Sequence, residues 1–209
     1  MKPDYLKSAL VIIDTQNDFS LPGAVSEIPG TFEIIPNIEK LANFFRSKKL
    51  PIIHIVRLYK NDGSNVDLCR KQLIEDGKRI VEPDSEGSQI VEKLLSNKNI
   101  KLDTKVLFNN EFQKIGDKEW IMYKPRWGAF YQTKLEEHLR FIDINTLVFC
   151  GCNFPNCLRT SIYEGSERDF KIAFISEAAS QVYYKGLQEL SNIGVDVLTL
   201  EAFNKKLQH

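Results

Sequence analysis

The stretch Ala9-Leu10-Val11-Ile12-Ile13-Asp14 is a continuous apolar run that ends at a carboxylate. A strand buried on both faces carries no polar face, so an unbroken run of this kind is typical of a strand inside a parallel sheet. Five later segments have the same character, and none of them alternates apolar with polar residues: residues 51–56, 120–123, 146–150, 171–175 and 195–200. The sequence therefore predicts six strands.

Helical patterns of apolar residues lie between these strands. The clearest repeats at spacings of three and four residues and contains Ile35, Ile38, Leu41, Ala42 and Phe45. Weaker patterns cover residues 90–95, 130–141, 157–168 and 186–193. Strands that alternate with helices are joined by crossovers, which predicts an α/β fold: a three-layer, doubly wound sandwich with a six-stranded, mostly parallel sheet. Residues 61–87 are the least periodic and predict a long loop that can hold one helix.

Composition places the chain among globular proteins, as one domain covering residues 1–209. Its 28 Lys and Arg balance 28 Asp and Glu, so nucleic-acid and membrane-surface partners are not expected. Residues 1–7 are polar and show neither a signal peptide nor a membrane span, which predicts a cytoplasmic protein. The cysteines are too few and too unevenly spaced for a disulfide framework, and they predict a reducing compartment: Cys69, Cys150, Cys152 and Cys157.

Polar residues stand where several predicted strands end. In open α/β sheets ligands bind beyond the carboxyl ends of the strands, a rule that selects Asp14, Arg57, Lys124 and residues 151–157. A thiolate is a strong nucleophile, a nearby Lys lowers the pKa of a thiol, and a carboxylate can carry its proton. Singly, these residues are ordinary: a turn carboxylate, a surface cation and a small buried side chain. Together, Asp14, Lys124 and Cys157 predict a catalytic site.

Three segments are similar to motifs of one known family: Val11-Ile12-Ile13-Asp14-Thr15-Gln16-Asn17-Asp18-Phe19, Lys124-Pro125-Arg126-Trp127-Gly128-Ala129-Phe130 and residues 151–160. Their types and their order along the chain resemble the isochorismatase-like cysteine hydrolase family. The similarity runs from about residue 9 to residue 200. The resemblance implies an isochorismatase-like (Rossmann-like) hydrolase fold with a triad of Asp14, Lys124 and Cys157. It also implies a cis peptide bond between Cys152 and Asn153. The backbone N–H groups of Asn153 and Cys157 would form the oxyanion hole, and the chain would form homo-oligomers, either dimers or tetramers.

Departures from the family pattern narrow the expected chemistry. Members that act on nicotinamide hold a metal through histidines after the second strand, whereas this chain has only His54, His138 and His209. No metal or other cofactor is therefore expected. Members that cleave the vinyl ether of isochorismate lack the nucleophilic cysteine, which this chain keeps. We therefore expect a metal-independent cysteine amidohydrolase that cleaves a C–N bond of a small carboxamide, ureido or carbamoyl compound.

The sequence leaves three other functions open on the same fold: an isochorismatase-type vinyl-ether hydrolase, a non-catalytic protein and a thiol-redox protein. A phosphatase with Asp14 as nucleophile would need further carboxylates for Mg²⁺, but Gln16 stands two residues later.

Substrate contacts are expected from aromatic side chains near the strand ends. Phe19, Trp127 and Tyr131 are candidates for an aromatic wall, although Tyr131 would equally well pack beneath a loop. Arg57 either binds a substrate carboxylate or forms a salt bridge with Asp62 or Asp67.

The other cysteines are predicted to be inert. Cys69 is expected to be structural. Cys150 and Cys152 are expected to be buried without reactivity, although a redox pair is the alternative.

Overall fold

A seven-stranded sheet forms the centre of the computed structural model, which describes residues 3–206. Its strands are β1 (Ser8–Ile13), β2 (Ile52–Val56), β3 (Gln113–Gly116), β4 (Glu119–Tyr123), β5 (Thr146–Gly151), β6 (Lys171–Ala179) and β7 (Asp196–Leu198). They lie in the order β3-β4-β2-β1-β5-β6-β7. Every neighbouring pair is parallel except β3 and β4, which are antiparallel. The observed α/β fold confirms the predicted class, with the strand order of a doubly wound sheet.

The strand count differs from the prediction because the sheet has an additional edge strand. All six predicted strands are present, and the seventh is β3, with the sequence Gln113-Lys114-Ile115-Gly116. Its residues are half-buried or exposed, so it lacks the apolar run by which the buried strands are identified.

Eight α-helices accompany the sheet within residues 3–206. They are α1 (Asn17–Ser20), α2 (Thr31–Ser47), α3 (Leu68–Glu75), α4 (Thr104–Phe108), α5 (Leu135–Phe141), α6 (Arg159–Ser166), α7 (Tyr184–Asn192) and α8 (Leu200–Lys206). Short 3₁₀ turns cover Tyr5–Lys7 and Glu92–Leu94, and a π-helical turn covers Phe154–Leu158. In this part of the chain no helix is long and apolar enough to cross a membrane.

The core has two halves, one on each face of the sheet. Residues of β1 alternate between them, with Leu10 and Ile12 packed beneath α2 and α8, and Val11 and Ile13 packed beneath α5, α6 and α7. Each β1 residue is therefore buried, which explains the continuous apolar run.

Helix predictions near the strand ends were only partly correct. The helix predicted over residues 90–95 is reduced to the turn Glu92–Leu94, because Ile90 forms an antiparallel bridge with Gln16 and the Val91 N–H donates to the Thr15 carbonyl. The helix predicted over residues 130–141 begins only at Leu135. Helices α1, α4 and α8 were not predicted, and the last strand ends at Leu198 rather than at residue 200.

Candidate active site

Strand register brings the polar strand ends together. Ile13 at the end of β1 pairs with Gly151 at the end of β5, and Val56 of β2 pairs with Tyr123 of β4. The residues that follow these strands are therefore neighbours at one edge of the sheet. Since the strands are parallel, their carboxyl ends meet there, as the sequence predicted.

Asp14 and Lys124 form an ion pair at this edge. Lys124 Nζ lies 2.8 Å from Asp14 Oδ2, and the two side chains are 0% and 4% exposed. Asp14 has a left-handed φ of 50°, and its N–H donates to the Ile55 carbonyl at 2.9 Å. Asp14 Oδ1 has no hydrogen-bond partner among the described residues. One carboxylate oxygen thus remains available for a proton or a ligand.

The turn after β5 brings Cys157 to the same place. Gly151 has a φ of +118°, and a Cβ there would lie 2.3 Å from the Ile13 carbonyl oxygen, so only glycine fits. The Cys152 N–H donates to that same oxygen at 2.8 Å. The bond between Cys152 and Asn153 is cis, at the position that the family resemblance implied. The π-helical turn that follows carries Cys157, which is partly exposed.

Hydrogen bonds hold Asn153 in place, but none of them uses its backbone N–H. Its side-chain amide donates to Gln181 Oε1 at 2.6 Å, and the neighbouring Phe154 N–H donates to the Ser180 carbonyl at 3.0 Å. Within residues 3–206, the Asn153 N–H makes no hydrogen bond to a protein acceptor. Asn153 and Cys157 line one cavity, so this N–H is a candidate oxyanion donor.

The pKa of the Cys157 thiol is raised, whereas the sequence suggested that Lys124 would lower it. Burial raises its pKa to about 12, the Lys124 charge acts in the opposite direction, and Asp14 raises the pKa further. Lys124 thus lowers the pKa as predicted, but burial outweighs it. The resting residue is a thiol at neutral pH, and it needs a base to become a nucleophile.

The cavity at this edge has a volume of about 160 Å³. It is lined by Asp14, Phe19, Ile28, Arg57, Tyr59, Asp67, Cys69, Arg70, Trp127, Cys152, Asn153, Asn156 and Cys157. Phe19 and Trp127 thus lie where the sequence predicted. Tyr131 does not line this cavity; it lies in a neighbouring groove that shares Trp127 with it.

Arg57 forms the salt bridge that the sequence offered as the alternative to substrate binding. Its Nη2 lies 2.7 Å from Asp67 Oδ2, and its Nη1 donates to the Lys124 carbonyl at 2.5 Å. Tyr59 also donates to Asp67 Oδ2, at 2.8 Å. Asp67 is the partner, and Asp62 takes no part in this pair. The Arg57 guanidinium therefore ties α3 to the end of β4.

Two residues of α3 line the cavity but were not predicted to be functional. Cys69 is exposed and lines the cavity, so it is not part of the core. Arg70 is partly exposed in the same cavity. Only Ile74 of this helix is buried, so α3 gives no periodic pattern from which its orientation could be predicted.

Cys150 and Cys152 are both buried, and burial raises the pKa of each thiol, Cys152 to about 12. Cys150 packs in the core beneath α2, whereas Cys152 packs against Phe19 and Tyr59 beside the cavity. The surroundings of both thiols favour burial without reactivity.

Histidines take no part in the cavity lining among the described residues. His54 Nε2 lies 2.7 Å from Glu119 Oε1, and the His138 ring stacks on Phe112 with centroids 4.1 Å apart. His209 lies outside the described residues. No group of three or more His, Cys, Asp or Glu side chains within residues 3–206 is arranged to hold a metal ion. The described residues at this edge therefore do not fit a metal held by histidines.

Similarity to known proteins extends over most of the chain. A family model described as an isochorismatase domain matches residues 8–202. The chain is 25% identical to a "probable inactive nicotinamidase" of Arabidopsis thaliana, over 99% of this chain and 100% of that protein. It is 24% identical to a ureidoacrylate amidohydrolase of Methylorubrum extorquens, over 87% of this chain and 73% of that protein. A solved isochorismatase family protein of Desulfovibrio vulgaris superposes with a TM-score of 0.82 at 26% identity, covering 97% of this chain and 99% of that one.

Proposed function

The chain belongs to the isochorismatase family of hydrolases, and from this premise we propose that it is a metal-independent cysteine amidohydrolase. Its substrate is a small carboxamide, ureido or carbamoyl compound, and Cys157 is the nucleophile. The observation that carries this proposal is that Asp14, which is ion-paired with the buried Lys124, lines the same cavity as Cys157. The ureidoacrylate amidohydrolase of Methylorubrum extorquens supports a C–N bond as the target.

The first half of the reaction forms an acyl-enzyme. Asp14 accepts the thiol proton, and the Cys157 sulfur attacks the carbonyl carbon. The backbone N–H groups of Asn153 and Cys157 stabilise the oxyanion of the tetrahedral intermediate. Asp14 then gives its proton to the departing nitrogen, so that the C–N bond breaks and ammonia or an amine leaves.

The second half releases the acid. Asp14, again a carboxylate, takes a proton from water, and the hydroxide attacks the thioester. The C–S bond breaks, and the proton returns to the Cys157 sulfur. Lys124 stabilises the charged form of Asp14 through their 2.8 Å contact and acts on the developing thiolate in the same way.

Ammonia release tests this proposal. The panel contains two carboxamides, succinamate and butyramide, and two ureas, N-carbamoyl-β-alanine and propylurea. We expect turnover of at least one of them by the native protein and none by Cys157→Ala. Cys69→Ala is the matched control, because Cys69 lines the same cavity but takes part in no step of the proposed reaction. Turnover by Cys157→Ala would contradict the cysteine mechanism.

The name of the Arabidopsis relative makes a non-catalytic protein the second candidate. The two candidates differ in one result. A folded native protein that releases ammonia from no panel member, and whose Cys157 is still alkylated by iodoacetamide, would favour a binding role over hydrolysis.

A homo-oligomer, dimer or tetramer, is part of the proposal. Several large apolar side chains are exposed in the described chain, among them Leu68, Phe141 and Tyr184. Light scattering after size exclusion measures the mass, and a monomer at 24.1 kDa would contradict this part. The proposed location is the cytoplasm.

A further inference from the structure

Every charged side chain that lines the cavity has an ion-pair partner except one. Asp14 is paired with Lys124, and Asp67 is paired with Arg57. The charge that remains belongs to Arg70, for which no carboxylate lies within salt-bridge distance anywhere in residues 3–206. The cavity therefore carries one uncompensated positive charge, and such a charge favours an anionic ligand.

Arg70 keeps most of its donors free. Its Nη1 contacts Ser26 Oγ at 3.4 Å, which is a weak hydrogen bond. The guanidinium carbon lies 5.1 Å from the centroid of the Phe19 ring, so the group is supported by an aromatic face. Arg57 differs from it, because its two terminal nitrogens are already bonded to Asp67 and to the Lys124 carbonyl. Arg57 is also 2% exposed, whereas Arg70 is partly exposed, so Arg70 is the more accessible of the two arginines for a substrate.

The structure also fixes the backbone of Arg70. The Arg70 N–H donates to the Asp67 carbonyl at 2.8 Å, in the first turn of α3. The Asp67 side chain is in turn held by Arg57 and by the Tyr59 hydroxyl. Beneath the guanidinium, Phe19 is 2% exposed and cannot move aside without disturbing the core. The backbone from which Arg70 extends is therefore fixed, and the Phe19 ring supports the guanidinium, which lowers the conformational entropy that anion binding costs.

We propose that Arg70 binds a carboxylate of the substrate, so that the substrates are small acids that also carry the amide or ureido group. A guanidinium matches a carboxylate with two parallel hydrogen bonds, which makes it selective for this group over a neutral polar one. The cavity volume of about 160 Å³ restricts the acid to a compact molecule. The inference rests on the proposed function for the reaction and adds the substrate class.

Alkylation of Cys157 tests the carboxylate site without any hydrolysis. Iodoacetate and iodoacetamide have the same size and transfer the same carbon to sulfur with loss of iodide, but only iodoacetate carries a carboxylate. The rate at Cys157 is measured with each reagent at pH 9 by peptide mass spectrometry, which separates Cys157 from the exposed Cys69. The ratio of the two rates cancels changes in thiol pKa, because both reagents attack the same sulfur.

The variants are Arg70→Gln, Arg70→Lys and Lys71→Gln. Lys71 follows Arg70 on α3, is exposed and lies 3.9 Å from Glu75, so Lys71→Gln removes a positive charge from the same helix but not from the cavity. We expect Arg70→Gln to lower the ratio of iodoacetate rate to iodoacetamide rate roughly 10-fold. Arg70→Lys should restore part of the ratio, and Lys71→Gln should leave it unchanged. An unchanged ratio in Arg70→Gln overturns the proposal, as does failure of both reagents to modify Cys157.

Hydrolysis of matched substrates then separates the carboxylate proposal from the proposed function. Butyramide is succinamate with a methyl group in place of the carboxylate, and propylurea has the same relation to N-carbamoyl-β-alanine. We expect the native protein to prefer the acid of each pair. In Arg70→Gln, kcat/KM for the acids should fall roughly 10- to 100-fold, mainly through KM.

The outcomes are distinct. Equal turnover of acid and neutral compound, with equal losses in Arg70→Gln, overturns the carboxylate site and leaves the amidohydrolase intact. An Arg70-dependent alkylation ratio without any ammonia release supports the carboxylate site and contradicts the proposed function.

Discussion

Cys157 lies in surroundings that keep its thiol protonated at neutral pH. Burial raises its pKa to about 12 even though the Lys124 ammonium acts against the rise. A permanently charged thiolate is therefore not the resting state, and in the proposed reaction the proton moves to Asp14 at the moment of attack. The three residue types were recognisable in the sequence because each follows an apolar strand or its turn. Their protonation states depend on burial and distance, which the sequence does not contain.

The Asp14 and Lys124 pair should be essential for stability as well as for chemistry. Lys124→Met leaves Asp14, which is buried, without its cationic partner. Breaking a buried pair in this way typically costs about 3–5 kcal/mol, and we expect a loss of that size in the free energy of unfolding. Urea denaturation at pH 7 measures it. The double variant Asp14→Asn with Lys124→Met serves as control and should recover part of the loss, since no unpaired charge remains. A loss below about 1 kcal/mol in Lys124→Met would contradict the buried pair.

Among the elements, α3 shows how a long connection becomes part of a site. The sequence predicted a loop over residues 61–87 with space for one helix, and α3 occupies Leu68–Glu75. Its orientation is fixed by the Arg57 salt bridge to Asp67 and by the burial of Ile74. Because few apolar contacts hold this helix, its polar anchor decides where Cys69 and Arg70 lie.

Arg57→Gln should therefore detach α3 from the strand ends. The substitution leaves Asp67 buried and without its cation, and we expect the free energy of unfolding to fall by about 3 kcal/mol or more. Hydrogen exchange should also become faster in residues 68–75. Lys71→Ala is the matched control on the same helix, because its pair with Glu75 is exposed and should contribute less than about 0.5 kcal/mol. Equal effects of the two substitutions would argue against this role of Arg57.

In the whole molecule, buried charged groups lie at both ends of the strands. The carboxyl ends carry the cavity. At the opposite end, Glu119 at the start of β4 accepts hydrogen bonds from Arg46 at 2.6 Å and contacts His54 at 2.7 Å. Burial acts to raise the pKa of Glu119, but His54 and Arg46 lower it to about 2. This cluster links α2 to β2 and β4 without touching the cavity.

The low pKa of Glu119 predicts how stability depends on pH. Its folded value of about 2 lies below the ordinary value of 4.5, so its contribution is present above pH 4.5 and is lost as the pH falls toward 2. Glu119→Gln should remove about 3 kcal/mol of that dependence, measured by urea denaturation from pH 7 down to pH 2. Ammonia release by Glu119→Gln at pH 7 shows separately whether the substitution has disturbed the cavity. If the free energy of unfolding of Glu119→Gln falls with decreasing pH as steeply as that of the native protein, the low pKa of Glu119 is contradicted.

The sequence by itself determined six of the seven strands and the candidate catalytic residue types at their ends, because both depend on local patterns of apolar and polar residues. The tertiary structure alone decided the edge strand β3, the pairing of Arg57 with Asp67, and the place of Arg70 and Cys69 at the cavity. These features depend on contacts between segments whose positions are set by a few polar bonds and by strand register. A half-exposed strand and a helix with one buried residue have no periodicity from which such contacts could be predicted.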